Sequence, residues 1–293
     1  MRKFYLQNQA GTRWDLNGAA GVYLVSPAGL GVSLAPTFHD LREGFFAIND
    51  TGAVPQLTPS FTLTFPRPHA YQHYRELVDW ALAATELQLI YCPFGELEFQ
   101  AKVALNYINK SELSQLAWLE CESALYQLTP WTRPLATEVA VTGAEEALRY
   151  TASLRYDSAL RYAGDAAGQM SAMISPAGHL PGSVRLRYTG EISDPRIKLA
   201  GAESGTVYGL CAVEGSLGAS ETLELATMRE DAHVLKIAAD GSEIDLVATG
   251  AVDLSQEPFF SVPVTEPSIL TIESTAVISG TAELQVYTYY RSV

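Results

Sequence analysis

The sequence predicts a mostly β protein with one main helix, divided into a β-rich N-terminal domain and a C-terminal β-sandwich. Three observations carry this reading. Apolar residues recur at period two through much of the 293-residue chain and at the helical period in a single window. The composition sets 15 Tyr and 22 Gly against 4 Met, which favours strands and tight turns over a helical bundle. The length exceeds the usual size of one domain, so each half can bury a core of its own.

Phe61, Leu63 and Phe65 alternate with Thr62 and Thr64, a half-buried strand that Pro66 and Pro68 end. From His69 to Ala84 the period changes: Tyr71, Tyr74, Leu77, Val78, Ala81 and Leu82 share one face of an amphipathic helix. Residues 87–91 form the next strand, stopped by Cys92-Pro93-Phe94-Gly95. Leu97, Phe99, Ala101, Val103, Leu105 and Tyr107 then point one way, and Glu98, Gln100, Lys102 and Asn106 the other. That strand is longer than the common length of about five or six residues, and it suits a curved wall or an edge that meets a neighbouring subunit. A turn is expected around Asn109-Lys110-Ser111, with residues 119–128 as the antiparallel partner.

Thr129-Pro130-Trp131-Thr132-Arg133-Pro134 breaks the pattern, and the sequence stays small and acidic to about Ala147. The domains are therefore drawn as 1–133 and 148–293, joined by a linker over 134–147. Just past it, Leu148-Arg149-Tyr150, Leu154-Arg155-Tyr156 and Leu160-Arg161-Tyr162 repeat every six residues, which on strands puts the arginines on one face. Strands are then expected at 184–188, 196–199, 207–213, 221–227, 233–238, 243–246, 269–274 and 282–290, with Asp240-Gly241 as a hairpin turn. Short strands in that density, with no helical window among them, make a β-sandwich or jelly roll.

The net charge is −14, and it is unevenly shared. Residues 1–142 hold 9 basic and 13 acidic side chains, net −4; residues 143–293 hold 10 and 20, net −10. Nucleic-acid proteins grip phosphates with clustered Lys and Arg, so that class is disfavoured. Cys92, Cys121 and Cys211 are too few and scattered for a disulfide framework or a zinc site; they read as buried free thiols in a reducing cytoplasm. No apolar run approaches the roughly 18 residues of a membrane span, and the N-terminus has no signal-peptide pattern.

The search for chemistry is negative. His69 and His73 stand one helical turn apart, but Tyr71-Gln72 between them supplies no base, and solvent exposure is the expectation. Gly29-Leu30-Gly31 lacks the third glycine of a dinucleotide site. Glu120 and Glu122 share a strand face as a solvated pair, and Asp194-Pro195 and Glu257-Pro258 read as turns. No catalytic, cofactor-binding or metal-ligating residue is assigned, no cofactor is expected, and the chain is read as not an enzyme.

An ordered series of short motifs spans most of the chain. It opens with Phe4-Tyr5-Leu6, Asn8, Gly11 and Trp14-Asp15-Leu16, then Pro27-Ala28-Gly29-Leu30-Gly31 and the 61–65 strand before the aromatic-rich helix. Leu89-Ile90-Tyr91, Asn109-Lys110-Ser111-Glu112 and Leu128-Thr129-Pro130-Trp131 follow in the first half. Leu180-Pro181-Gly182, Phe260-Ser261-Val262-Pro263 and Tyr289-Tyr290-Arg291 mark the second. In that order they resemble the distal tail proteins of siphophages that infect Gram-positive bacteria, and of related tail-like particles. Thr132 departs from the pattern, which has an aromatic residue after the Trp.

The resemblance implies a ring-forming belt domain, a hexamer, and a galectin-like β-sandwich projecting from it, whose last strand packs on the first domain. It implies a place at the virion tail tip, after assembly in a bacterial host cytoplasm, with no membrane partner. The implied partners are other copies of the chain, the tail tube protein, a tail-associated hub or lysin protein, and baseplate or receptor-binding proteins. DNA would cross the ring without specific binding, which a non-basic lumen permits. The competing reading is a carbohydrate-binding adhesin module that contacts host cell-wall polysaccharide. Residues 143–293 contain no Trp, so that half is expected to act as a spacer or protein dock without sugar affinity.

Overall fold

The computed structural model describes residues 2–31, 37–41, 44–48, 57–95, 97–113, 118–138, 140–142, 169–175, 177–275 and 278–292. They divide into two compact units, Met1–Arg133 with Tyr289–Val293, and Pro134–Thr288. The protein is mostly β, with antiparallel pairing throughout and one α-helix among the described residues.

The first unit runs β1 (Lys3–Asn8), β2 (Arg13–Asp15), β3 (Tyr23–Ala28), the hairpin β4 (Thr37–Leu41) and β5 (Gly44–Ile48), then β6 (Ser60–Phe65). Helix α1 (Ala70–Ala83), β7 (Leu87–Cys92), β8 (Phe99–Leu113), β9 (Leu119–Gln127) and β10 (Trp131–Glu138) follow. Neighbouring strands lie in the order β2, β1, β7, β8, β9, β6, β3. Strand β8 is long because it serves two ladders: Phe99 to Val103 pair with β7, and Val103 to Leu113 pair with β9. The Asn109-Lys110-Ser111 run is therefore strand, not turn. Asn109 pairs with Glu122 and Lys110 with Cys121, while the Ser111 hydroxyl donates to the Glu120 carbonyl.

A register shift between Leu105 and Tyr107 corrects the expected alternation. A bulge adds one residue against β9 and turns every later side chain over. Tyr107 is thus exposed, and Ile108 packs on the core in its place. Helix α1 is rotated from its expected setting in the same way. It buries Ala70, Leu77 and Ala81, with Tyr74 and Trp80 packed beside them, while Tyr71 and Leu82 face solvent. Small side chains at 70 and 81 let the helix lie close on the sheet, where Phe65 meets Tyr74 edge-on at 5.8 Å and Trp14 meets Trp80 at 5.6 Å. Trp131 is fully buried beside Tyr91, and Tyr290, near the chain's end, contacts Phe99 edge-on at 5.1 Å.

Strand β10 and β11 (Ala140–Thr142) run through part of the stretch whose composition reads as a linker. The Leu-Arg-Tyr repeat, 148–162, lies outside the described residues. The second unit continues with β12 (Gln169–Ile174), β13 (Leu180–Ser193), β14 (Arg196–Gly201), β15 (Val207–Ala212), β16 (Ser216–Leu217), β17 (Thr222–Ala226) and β18 (His233–Ile237). It ends with β19 (Glu243–Asp245), a 3-10 turn at Leu254–Gln256, β20 (Ser268–Glu273) and β21 (Ser279–Tyr290). One sheet has the order β11-β12-β20-β14-β15; in the other β19, β18, β17, β13 and β21 are successive neighbours, with β16 also on β13. Both sheets feed one apolar cluster: Ile197, Leu199, Leu270 and Ile272 from the first meet Leu186, Tyr188, Leu223 and Val286 from the second. Period-two burial on each layer is what joins two antiparallel sheets face to face.

Candidate functional site

The reactive side chains come first. All three cysteines are buried and free; burial pushes their thiols up, Cys211 to about 12. A protonated buried thiol is inert as a nucleophile. His69 is exposed as expected, but His73 is only half so: its ring packs where a Cβ on Gly21 would stand, 2.1 Å from Nδ1. Among the described residues no group of three or more His, Cys, Asp or Glu side chains could hold a metal. Glu120 and Glu122 do share a face, as the wall of an open depression of about 330 Å³ completed by Thr62, Asn109, Lys110 and Ser111.

That depression is the polar middle of a larger surface, the outer face of β3–β6–β9–β8. Tyr23, Thr64 and Glu120 stand in one row across it, and Val25, Thr62, Glu122 and Asn109 in the next. Beyond them Ser60 and Ala124 lead to Tyr107, and Tyr126 lies opposite Ala104. The larger apolar side chains are exposed here: Tyr23 by 42%, Val25 by 39%, Tyr107 by 39% and Tyr126 by 41%. Nearby, the Tyr71 hydroxyl donates to Glu112 at 3.0 Å, and Lys110 sits 4.7 Å above the Tyr71 ring. Half-exposed tyrosines among threonines and carboxylates are the composition of a protein interface rather than of a reaction centre. Sequence reading missed it, because the bulge in β8 is what brings Tyr107 outward.

The second unit carries two polar features. On the outer face of β13, β17 and β18, Glu224 receives Arg187 at 3.0 Å, Arg185 at 3.4 Å and His233 at 3.2 Å. Asp231 completes the cluster, 2.7 Å from Arg185 and 3.1 Å from His233. On the opposite sheet an open groove of about 600 Å³ has Arg196, Lys198 and Leu210 on its floor, with Gln256 and Glu257 on its wall. Neither feature groups an acid, a base and a nucleophile.

Comparison with known proteins agrees with this. A family model described as the distal tail protein N-terminal domain matches residues 3–128. No curated protein matches by sequence. Among solved structures, a chain of the phage P2 baseplate in its activated conformation with Ca is similar over 100% of both chains, at 12% identity and a TM-score of 0.64. The Sr form of that baseplate gives 13% identity and 0.63, again over 100% of both chains. The SPP1 Dit crystal structure covers 97% of this chain and 98% of its own, at 8% identity and a TM-score of 0.60. At such identities the structures attest the fold; the family model over 3–128 adds the lineage, and the chain belongs to the phage distal tail protein family.

Proposed function

We propose that six copies of this chain close into a ring at the distal end of a phage tail, joining the tail tube to the baseplate or tip around a central DNA channel. The observation that carries the reading is the exposed tyrosine-bearing face of β3–β6–β9–β8, in the unit that matches the family model. A head-to-tail contact through one such face either closes into a ring or grows into a filament. A stable contact of that kind buries about 1,600 Å² in total, which a seven-strand layer can supply.

Residues 1–133 act as the belt and 148–293 as a galectin-like sandwich that carries neighbouring tail proteins. Those neighbours are the tail tube protein, a tail-associated hub or lysin protein, and baseplate or receptor-binding proteins. Support comes from the relatives: one is a baseplate chain, and the other is described as a paradigm of hub adsorption apparatus in Gram-positive-infecting phages. The net charge of −14 leaves DNA free to slide, since a polyanion is not held by a non-basic wall.

The test is a doubly charged variant, Tyr107→Glu with Tyr126→Glu, introduced into the phage. Both residues are exposed, so the chain is expected to stay folded and soluble yet to be missing from assembled particles. Incorporation at parental level would remove this face from the assembly.

A further inference from the structure

Strand β15 is the last strand of its sheet. The Val213 amide donates to Pro195 O at 2.9 Å, and Arg196 lies opposite Ala212 in the same register. Antiparallel ladders alternate, so Cys211 turns its backbone toward β14 while Ala212 and Leu210 turn theirs to the free edge. The Ala212 carbonyl is taken: Asp253 N donates to it at 3.0 Å, and Val213 bridges Val252. Residues 251–253 therefore lie along the edge like a short added strand, and then the chain leaves into the 3-10 turn. Beyond that point the edge stays open. Among the described residues nothing pairs with the outward amide and carbonyl of Leu210.

The open stretch is also walled. The 3-10 turn, capped by Asp253 accepting from the Ser255 amide and hydroxyl, stands beside β15 and forms the groove with it. Its approach depends on Gly209, where a Cβ would stand 2.6 Å from Glu257 O and 2.5 Å from Phe260 Cβ. Arg196 and Lys198, two residues apart on β14, supply the floor, and neither side chain has an ion pair among the described residues. In a chain of net charge −14, two adjacent unpaired cations beside an open strand edge suit an acidic occupant.

We infer that β15 docks an extended segment of another tail protein, which adds to the sheet as a further antiparallel or parallel strand in line with residues 251–253. Main-chain bonds to Leu210 would give affinity, and carboxylates on the face shared with Arg196 and Lys198 would give selection. Open strand edges left unguarded invite non-specific pairing, and here the 3-10 turn restricts access to a single narrow chain.

The inference rests on the chain's being a tail-tip component, but not on the ring. Two variants test it in phage particles. Leu210→Pro removes the outward N–H without touching the ladder to β14, and Arg196→Glu with Lys198→Glu reverses the floor. In parent particles the Leu210 amide is expected to exchange hydrogen at least tenfold more slowly than in the isolated chain. Each variant is expected to enter particles at parental level while one other tail protein falls at least tenfold. A chain present in particles with Leu210 exchanging as fast as in isolation overturns the proposal, whereas a chain absent from particles overturns the tail-tip reading instead. Unchanged particle composition with lost adsorption to cell-wall polysaccharide would make the groove a saccharide site and also overturn it.

Discussion

Gly190 in β13 tests the packing of the second unit most sharply. Its φ is +139°, and a Cβ there would stand 2.2 Å from the Ser279 carbonyl oxygen and 2.5 Å from Gly280 Cα. Gly280 answers from β21, where a Cβ would stand 2.3 Å from Thr189 O. The two strands meet glycine against glycine, backbone on backbone. Gly190→Ala must hold an L residue in a sparsely populated region, at a cost of about 1–3 kcal/mol. The clash is with main chain, which cannot swing aside, so β21 must move and weaken a ladder bond of roughly 0.5–1.5 kcal/mol. Together these give about 3 kcal/mol. Urea unfolding followed by far-ultraviolet circular dichroism reads it: with a slope of about 1–3 kcal/mol per molar, the midpoint should fall by roughly 1–3 M. Gly218→Ala is the control, since its Cβ would meet nothing nearer than 3.7 Å. Equal midpoints for the two variants would refute the close approach of β13 and β21.

Trp131→Ala empties a site with no exposed surface and should cost about 3–5 kcal/mol, read as an early loss of the first unit's cooperative melt. Cys211, with its thiol pushed up to about 12, should hold about one part in 10,000 as thiolate at pH 8, so a thiol reagent should label it only after denaturant is added. Glu266 is held below the usual carboxylate range by the Tyr208 hydroxyl, then by the Ser204 hydroxyl and amide. A carboxylate lowered in the folded state adds stability above its unfolded pKa and loses it as pH falls through the folded one. Glu266→Gln should therefore melt earlier than the parent at pH 7, with the gap narrowing below about pH 4; a gap that widens in acid would refute the sign.

Elements with clean periodicity were legible in the sequence: the helix, the 61–65 strand, the pairing of the long strand with 119–127, and the short strands of the second half. Strand β1 was harder, because Lys3, Tyr5 and Gln7 dilute the buried Phe4 and Leu6. Strand β12 hides its alternation in small and flexible residues, with only Met170, Ala172 and Ile174 buried. The polar run Asn109-Lys110-Ser111 resembled a turn, since a strand's wet face has turn-like composition. The bulge between Leu105 and Tyr107 could not be read, because the partner register that creates it comes from β9. Nor could the β15 groove: Arg196 and Lys198 are visible at period two, but topology alone brings Gln256 and Glu257 beside them.

The central claim is the ring, and cryo-electron microscopy of the intact tail tests it most directly. Density for this chain is expected as a closed six-fold ring between tube and tip, with β3–β6–β9–β8 in the contact between copies and an open lumen. Three-fold or six-fold symmetry is compatible with that ring. A chain found in any other symmetry, or as isolated copies on the outside of the tail, would contradict it.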